Sequence, residues 1–346
     1  MARYKKRPSF QPGLPGLFDD IDSSFRGADE AFEVRRAPKE EPSGEKPRQE
    51  LWADGDAFSP LETSATVDRL QFISFGSGSS GNCAYLGDDQ SGFLIDAGID
   101  DTKVVAELQR NGIDMRKVSG IILTHDHSDH VRYVYKLVRK YRHMEIFCTP
   151  KTLNGLLRRH AISNRIKDYH RAIYKEHPFK LGNFTLLAFE VQHDGTDNAG
   201  FYITNGRHHM VVATDLGCIS DRADFYMRQA NYLMIEANYD ETMLTTGPYP
   251  EYLKARIRND NGHLNNEVTA SYLAGILTPN LRQIFLCHLS HENNTPEIAL
   301  RAVEQALLST GITAVGDGSG SPTALLAPVQ LLALPRFTPT GLITLR

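Results

Sequence analysis

The clearest candidates for chemistry are three histidines and an aspartate that fall within six positions in the stretch IILTHDHSDHV. Imidazole and carboxylate groups are ligands of zinc, iron and manganese, and an Asp beside His suggests hydrolysis on a metal. The His-x-His pair can reach one metal, and the Asp-His pair that follows can reach a second. Such residues on a loop are often only solvated, but this stretch is unusually dense. It predicts a metal site formed by His125, His127, Asp129 and His130.

The cluster follows a short apolar run, Ile121–Leu123, which is typical of a buried strand. Two more residues of ligand type also stand just past predicted strands. His193 follows Phe184–Phe189, and Asp215 follows Met210–Ala213. Loops after strands that end on one rim lie together, and ligands gather there in α/β proteins. Each of the two residues alone would more often be structural, but together with the cluster they indicate further ligands.

Three strands and a helix precede the cluster, so the order is β-β-β-α-β and the fold class is mixed α/β. The helix is capped by Asp100 or Asp101 and ends at Gly112. Asp96 ends the third strand, where its carboxylate can accept a hydrogen bond from a ligand histidine and orient it. The strands are Leu70–Phe75, Asn82–Leu86 and Phe93–Ile95.

The loop GSGSSG at Gly76–Gly81 contains the spacing G-x-G-x-x-G. In dinucleotide-binding proteins the last glycine of this pattern opens a helix. Strand-like residues follow here, so we interpret the loop as a hairpin-type connection in which small residues permit close backbone approach. A plain glycine turn is one reading. The other is a set of donors to an anionic substrate group: Ser77, Ser79, Ser80 and Asn82.

The segment Val131–Lys180 is strongly basic and carries interleaved tyrosines such as Tyr133 and Tyr141. A charge run is usually a solvated helix face. This one begins beside the proposed metals, however, and basic and aromatic residues together suit a phosphate backbone with stacked bases. We therefore favour a nucleic-acid partner, either DNA or RNA.

Composition bounds the remaining possibilities. The chain has 346 residues and a formal net charge of −4, so it can bury a sizeable core and shows no global basicity. No apolar run approaches the roughly 20 residues that span a bilayer, and MARYKKRPSF lacks the apolar segment of a secretory signal. The 4 cysteines are scattered, which is typical of a reduced, cytoplasmic protein.

Residues 1–66 differ from the rest of the chain. They are rich in proline, serine and charged residues and sparse in apolar ones, as in RRAPKEEPSGEKPRQE. Such a segment cannot bury enough apolar surface to offset its ordering entropy. We expect a low-complexity, disordered arm at 1–66 and one folded domain at 67–346.

Taken in chain order, these motifs resemble those of the metallo-β-lactamase fold superfamily. The loop GSGSSGN and the motifs LMIEANYD, GHL and CHLSHENN narrow the resemblance to the bacterial YycJ (WalJ) family of nucleases, over roughly Leu70 to Pro296. The resemblance implies an αββα sandwich of two mixed β-sheets flanked by helices. It also implies a two-metal centre and a 5′-to-3′ exonuclease activity on DNA that is linked to repair. The two divalent ions would be Zn²⁺ or Mn²⁺, with iron as a further option, since nitrogen and oxygen ligands admit each.

Carried over by position, the family's motifs assign the ligands of both metals. His288 also follows a predicted strand, Gln283–Cys287, which supports its role independently. The resemblance implies that His125, His127 and His193 hold one metal, that Asp129, His130 and His288 hold the other, and that Asp215 bridges them.

The same resemblance gives roles to His263, Glu236 and Asn238, and the chemistry of the water gives one to Asp129. His263 corresponds to a histidine that contacts the scissile phosphate or donates a proton, although a surface loop histidine is the alternative. Glu236 and Asn238 would orient His263. Asp129 would accept or orient the proton of the attacking water.

Three functions remain open. The first is a metal-dependent phosphodiesterase, a 5′-to-3′ DNA exonuclease that uses hydroxide activated by two metals. The second is a hydrolase of a small phosphodiester, thioester or lactone on the same fold. The third is a non-catalytic, metal-stabilised nucleic-acid-binding protein, which the complete ligand set disfavours.

The rest of the chain offers elements but no further site. Helices are predicted around Asp224–Gln229 and Asn266–Leu277, with no room for a large inserted domain of the β-CASP type. Pro296–Ser309 is an amphipathic helix. Val329–Leu334 and Gly341–Leu345 are consistent with terminal strands.

Overall fold

The computed structural model describes residues 69–310, 315–316 and 329–346. The predicted arm at 1–66 lies outside these residues. The first of two sheets has seven strands: β1 (Leu70–Gly76), β2 (Cys83–Gly87), β3 (Gly92–Ile95), β4 (Val118–Ile122), β5 (Glu145–Cys148), β6 (His170–Ala172) and β15 (Ile343–Leu345). Their order is β15-β1-β2-β3-β4-β5-β6, antiparallel up to β3 and parallel from β3 to β6.

The second sheet has eight strands: β7 (Phe179–Leu181), β8 (Phe184–Glu190), β9 (Ala199–Asn205), β10 (His208–Ala213), β11 (Tyr232–Glu236), β12 (Gln283–Cys287), β13 (Val315–Gly316) and β14 (Val329–Ala333). Their order is β13-β14-β12-β11-β10-β9-β8-β7. The strands from β10 to β13 pair in parallel, so those strands end at the same edge.

Helices complete the described elements. They are α1 (Asp101–Arg110), α2 (Ser128–Val131), α3 (Val134–Lys140), α4 (Pro150–Arg159), α5 (Asp221–Met227), α6 (Glu241–Thr246), α7 (Glu251–Arg258), α8 (Asn266–Ile276) and α9 (Pro296–Ser309). Short 3₁₀ turns occur at Met115–Lys117 and Asn164–Tyr169. In the part of the chain that the structure covers, we find no helix with the length and apolar character that crossing a bilayer requires.

The core has three apolar layers because successive strand residues face opposite sides of a sheet. On β1, Phe72 lies between the sheets, whereas Ile73 packs in the layer beneath α1 and α3. On β10, Val212 lies between the sheets and Val211 packs in the layer with α5, α8 and α9. The rings of Phe72 and Phe285 stack across the two sheets with centroids 4.5 Å apart. Each such buried side chain contributes about 1.5–3 kcal/mol.

This helix–sheet–sheet–helix order confirms the predicted αββα sandwich. Asp100 caps α1 by accepting a hydrogen bond from the Thr102 amide, and α9 has the predicted bounds, Pro296–Ser309. The basic segment after Val131 had no predicted elements, and it folds into α3, β5, α4, β6 and β7.

Candidate metal centre

The predicted ligand residues converge at the edge where strands of both sheets end. His125, His127, Asp129 and His130 follow β4 in the first sheet. The second sheet contributes residues after β8, β10 and β12, which run in one direction because β9 is antiparallel to both β8 and β10. These residues are His193, Asp215 and His288.

Three residues that follow strands at this edge have an unusual backbone conformation. Asp96 after β3, Asp215 after β10 and His288 after β12 have φ values of 59°, 54° and 54°. The left-handed conformation costs a non-glycine residue about 1–3 kcal/mol and clusters at functional sites. It turns the chain sharply at the strand end, so the side chains face the seam between the sheets.

The first potential ligand group consists of His125, His127 and His193, whose ligand atoms lie within 4.8 Å of one another. The Thr124 hydroxyl lies 2.9 Å from Asp96 Oδ2, to which it donates, and 3.0 Å from His125 Nδ1, from which it accepts. His193 Nδ1 donates to the Gly262 carbonyl at 2.9 Å. These contacts leave the Nε2 lone pairs of His125 and His193 for another partner.

Burial keeps the three histidines of this first group neutral. Burial lowers the pKa of His193 to about 4 and lowers the pKa of His125 well below its usual value. Burial is also the main cause that lowers the pKa of His127. Neutral imidazole is the form that binds a metal.

The second group is Asp129, His130 and His288, whose ligand atoms also lie within 4.8 Å of one another. His130 Nδ1 donates to Asp96 Oδ2 at 2.7 Å, and a carboxylate in such a contact can orient a ligand histidine. His130 Nε2 and His288 Nε2 each lie 3.4 Å from Asp129 Oδ2. Burial alone would lower the pKa of His130, but the carboxylates of Asp215 and Asp129 raise it well above its usual value.

Asp215 lies between the two groups. Its Oδ1 is 3.7 Å from His193 Nε2 and 3.5 Å from His288 Nε2, and its Oδ2 is 3.3 Å from His130 Nε2. Asp215 also forms a possible ligand group with His125 and His130. Burial opposes its ionisation, yet the surrounding histidines hold the pKa of this carboxyl well below its usual range. Its position between the groups is the one that a bridging ligand requires.

The residues present fit a pair of divalent cations. His125 Nε2 is buried and has no hydrogen-bond partner among the described residues, which is costly unless the atom serves another ligand. All the surrounding donors are imidazole nitrogens or carboxylate oxygens, a set that suits zinc and manganese.

The buried Glu236 and the half-buried His263 form a hydrogen-bonded pair beside the second group. Glu236 Oε1 accepts from His263 Nδ1 at 2.7 Å and from His288 Nδ1 at 3.1 Å, and Oε2 accepts from the Leu216 amide at 2.8 Å. Asn238, expected to orient His263, instead contacts His288, with its Nδ2 2.7 Å from the His288 carbonyl. With Asp215 and His288, this pair is also a possible ligand group, because the ligand atoms are within 4.8 Å.

The serine-rich loop contacts the site in a way that sequence reasoning missed. The Ser77 hydroxyl accepts from the His288 amide at 2.9 Å, so it fixes the backbone of a candidate ligand. Asn82 Nδ2 donates to Asp129 Oδ2 at 3.0 Å. Ser79 lines the cleft at the metal groups, whereas Ser80 faces the other side of the loop. Substrate binding by these four residues stays a prediction.

Sequence reasoning also missed Asp126, which lies within the His-x-His pair and is fully buried. Its carboxylate accepts from the Thr196 amide at 2.9 Å and lies 3.3 Å from Arg159 Nε. Asp126 therefore ties the histidine loop to the loop after His193. What singles out Asp126 is that it is a charged residue buried within a metal motif. The sequence does not reveal the burial of a single loop residue.

A cleft of about 500 Å³ opens from the metal groups to solvent. His263 and His288 form its floor, and α7 forms one wall through Leu253 and Arg256. Arg256 Nε binds Asp194 Oδ2 at 2.8 Å, which joins this wall to the loop that carries His193. The candidate centre is therefore open to solvent on one side.

Comparisons with known proteins show which family this chain resembles. Residues 92–288 match the model of the beta-lactamase superfamily domain. The chain is 35% identical over 243 residues to the exodeoxyribonuclease YycJ of Bacillus anthracis, with 70% of this chain and 90% of that protein covered. It is 33% identical over 244 residues to the exodeoxyribonuclease WalJ of Streptococcus pneumoniae serotype 2, with 68% and 89% covered.

Solved structures show the same fold. The metallo-beta-lactamase fold protein YhfI from Bacillus subtilis superposes with a TM-score of 0.54 at 14% identity, over 80% of this chain and 99% of that one. Zn(2+)-bound PqqB from Methylobacterium extorquens gives the same TM-score of 0.54, identity of 14% and coverages of 80% and 99%.

Proposed function

The chain belongs to the YycJ/WalJ-like family of metallo-β-lactamase-fold proteins, and we propose that it is a 5′-to-3′ DNA exonuclease with a two-metal centre. Family membership makes it a metal-dependent hydrolase. The observation that carries the finer proposal is the position of Asp215, within 3.7 Å of His193, His130 and His288. Two groups of three candidate ligands that share the Asp215 carboxylate and face an open cleft are suited to phosphodiester hydrolysis.

We assign His125, His127 and His193 to one cation and Asp129, His130 and His288 to the other, with Asp215 between them. The orphaned Nε2 of His125 supports this assignment. When bound, the cations, Zn²⁺ or Mn²⁺, supply an acidified water nucleophile at neutral pH and positive charge for the phosphate oxygens. Asp96 and Glu236 fix the ring orientations of His130 and His288 through their Nδ1 atoms.

The chain's own groups then handle the protons. Asp129 Oδ2 lies between His130 and His288, where it accepts or orients the proton of the attacking water. His263 lines the cleft, and its Nδ1 is held by Glu236, so its Nε2 remains to donate a proton to the leaving oxygen.

DNA is the proposed substrate because two relatives are named exodeoxyribonucleases. The basic segment supports it, since Arg139, Lys140, Lys151 and Arg158 lie exposed on α3 and α4. A 5′-to-3′ polarity, a role in DNA repair and a cytoplasmic location belong to the same proposal. So does the division into an arm at 1–66 and a metallo-β-lactamase domain at 67–346.

The deciding experiment is digestion of 5′-phosphorylated single- and double-stranded DNA, with either end labelled, in Zn²⁺ or Mn²⁺. We expect products to shorten from the 5′ end and metal content near two per chain by elemental analysis. Hydrolysis of bis(p-nitrophenyl) phosphate but not of DNA would favour a small-substrate hydrolase. DNA retention without cleavage of either substrate would indicate a non-catalytic binding protein.

A further inference from the structure

A second depression, which we call the basic groove, lies on the far side of the serine-rich loop from the metal cleft. It encloses about 1160 Å³ of space, including the solvent at its open side. The residues that matter for its chemistry are Lys103, Arg132, Tyr133, Arg336 and Phe337.

The basic groove is joined rigidly to the metal centre. Arg132 directly follows α2, whose four residues include Asp129 and His130. Across the groove, Arg336 donates to the Leu289 carbonyl at 3.1 Å, next to His288, and to the Ser79 hydroxyl at 3.0 Å. Ser79 lines the metal cleft, so the loop is a ridge between cleft and groove.

The backbone of this ridge is unusually close to its surroundings. Gly81 has a φ of 159°, and a Cβ there would lie 2.7 Å from the Gly98 carbonyl oxygen. Gly78 has a φ of 149°, and a Cβ there would lie 3.2 Å from the Leu289 carbonyl oxygen. Because glycine has no side chain, nothing projects from the ridge at these positions, and a substrate strand can cross it from the cleft to the groove.

Charge in the basic groove favours an anion. Arg110 is paired with Glu107 in the groove wall, and the Asp100 carboxylate caps α1. Lys103 and Arg132 are exposed and form no ion pair with any residue that the structure describes. Arg132 reaches only the Ser80 carbonyl, at 3.4 Å. These two cations suit the phosphates of a DNA backbone.

An aromatic platform stands beside these cations. Phe337 is 63% exposed, which is unusual for so large an apolar side chain. Its ring lies 5.3 Å from the Arg336 guanidinium and 5.7 Å from the His291 ring, so neighbours fix it in place. A fixed, exposed ring next to phosphate-binding cations is the arrangement that single-strand binding proteins use to stack a base.

We propose that the basic groove binds an unpaired nucleotide of the substrate strand next to the scissile phosphate. Arg132 and Lys103 contact the backbone phosphate, and the base stacks on Phe337. This inference rests on the proposed nuclease function and narrows its substrate class to single-stranded or frayed DNA ends, because the faces of a base inside a duplex are already stacked on its neighbours.

The test compares full-length variants for binding of a fluorescein-labelled single-stranded oligonucleotide by anisotropy, and for KM and kcat on the same DNA. We expect Phe337→Ala to weaken binding and raise KM by about tenfold, and to leave the salt dependence unchanged. Arg132→Ala should reduce the slope of log K against log salt by about 0.7, the value for one single-strand phosphate contact.

Two sets of controls make the result decisive. Phe337→Tyr keeps the ring and should bind normally, whereas Phe337→Leu should bind as weakly as the alanine variant. Phe225→Ala on α5 and Arg301→Ala on α9 remove an exposed ring and an exposed charge elsewhere. Each variant's rate on bis(p-nitrophenyl) phosphate reports the state of its metal centre.

If the unchanged chain degrades DNA but Phe337→Ala and Arg132→Ala bind like the two controls, the basic groove is wrong and the nuclease function stands. If the unchanged chain neither binds nor cleaves DNA, the proposed function itself is wrong and this inference falls with it.

Discussion

The Nδ1 atom of His263 lies 2.7 Å from Oε1 of Glu236, whose carboxylate is completely buried between the ends of β11 and β12. The same carboxylate accepts the amides of Leu216 and Leu264 at 2.8 and 3.2 Å. Glu236 thus holds a cleft-lining histidine and the backbone around it in one network. A ring fixed in this way can act on the substrate with a single orientation.

Replacing that ring gives the first prediction. His263→Ala should reduce turnover on DNA by about 10²–10⁴-fold, the usual contribution of a positioned proton donor, and should leave metal content near that of the unchanged chain. Steady-state kinetics and elemental analysis check both. His177→Ala, an exposed histidine, is the matched control. Equal loss of metal and activity would instead make His263 a ligand.

Asp215 is expected to be the least replaceable ligand. Asp215→Asn keeps the size of the side chain but removes the charge that faces both histidine groups, so turnover should be abolished and the far-ultraviolet circular dichroism kept. Asparagine also tolerates the left-handed backbone at φ 54°. Normal cleavage by this variant would refute the bridging assignment.

Asp96 should act through His130. Asp96→Asn retains an αL-tolerant residue at φ 59° but weakens the hydrogen bond that fixes the His130 ring. We expect metal affinity to fall about 10–100-fold, as for other residues that orient metal ligands. Competition with a chromogenic chelator measures this. Asp89→Asn, at an exposed position, should bind metal as the unchanged chain does.

Metal removal should destabilise the protein. The buried His125 Nε2 has no hydrogen-bond partner among the described residues, and cations that bind only the folded state stabilise that state. The gain is about 2.7 kcal/mol per site at a free metal concentration of 100 times Kd. Chelation should lower Tm, and Zn²⁺ or Mn²⁺ should restore it. His125→Ala should show a smaller response to added metal; an identical Tm with and without metal in the unchanged chain would contradict the centre.

The candidate ligand residues were accessible from sequence because their signals are local. His-x-His-x-Asp-His occupies one loop, and His193, Asp215 and His288 each follow an apolar strand. The supporting contacts have no such signal. Ser77 and His288 are 211 positions apart, and only the docking of two sheets brings the hydroxyl to the amide.

The helices α6 and α7 were missed for a different reason. Amphipathic periodicity reveals a helix only when one face is buried. Leu244 is the buried residue of α6, and Lys254 is that of α7. Neither helix has an apolar stripe, so the spacing of apolar residues in the sequence does not predict either of them. The helix α7 nevertheless forms a wall of the cleft.

The candidate ligands come from both sides of the sandwich: the first sheet supplies His125 and His130, and the second supplies His193 and His288. Neither sheet can bind a cation pair until the other has docked, so the centre assembles late in folding. Once loaded, it would clamp the two halves as a non-covalent cross-link, and separating them would require breaking several coordinate bonds at once. Metal should therefore slow unfolding far more than it speeds folding.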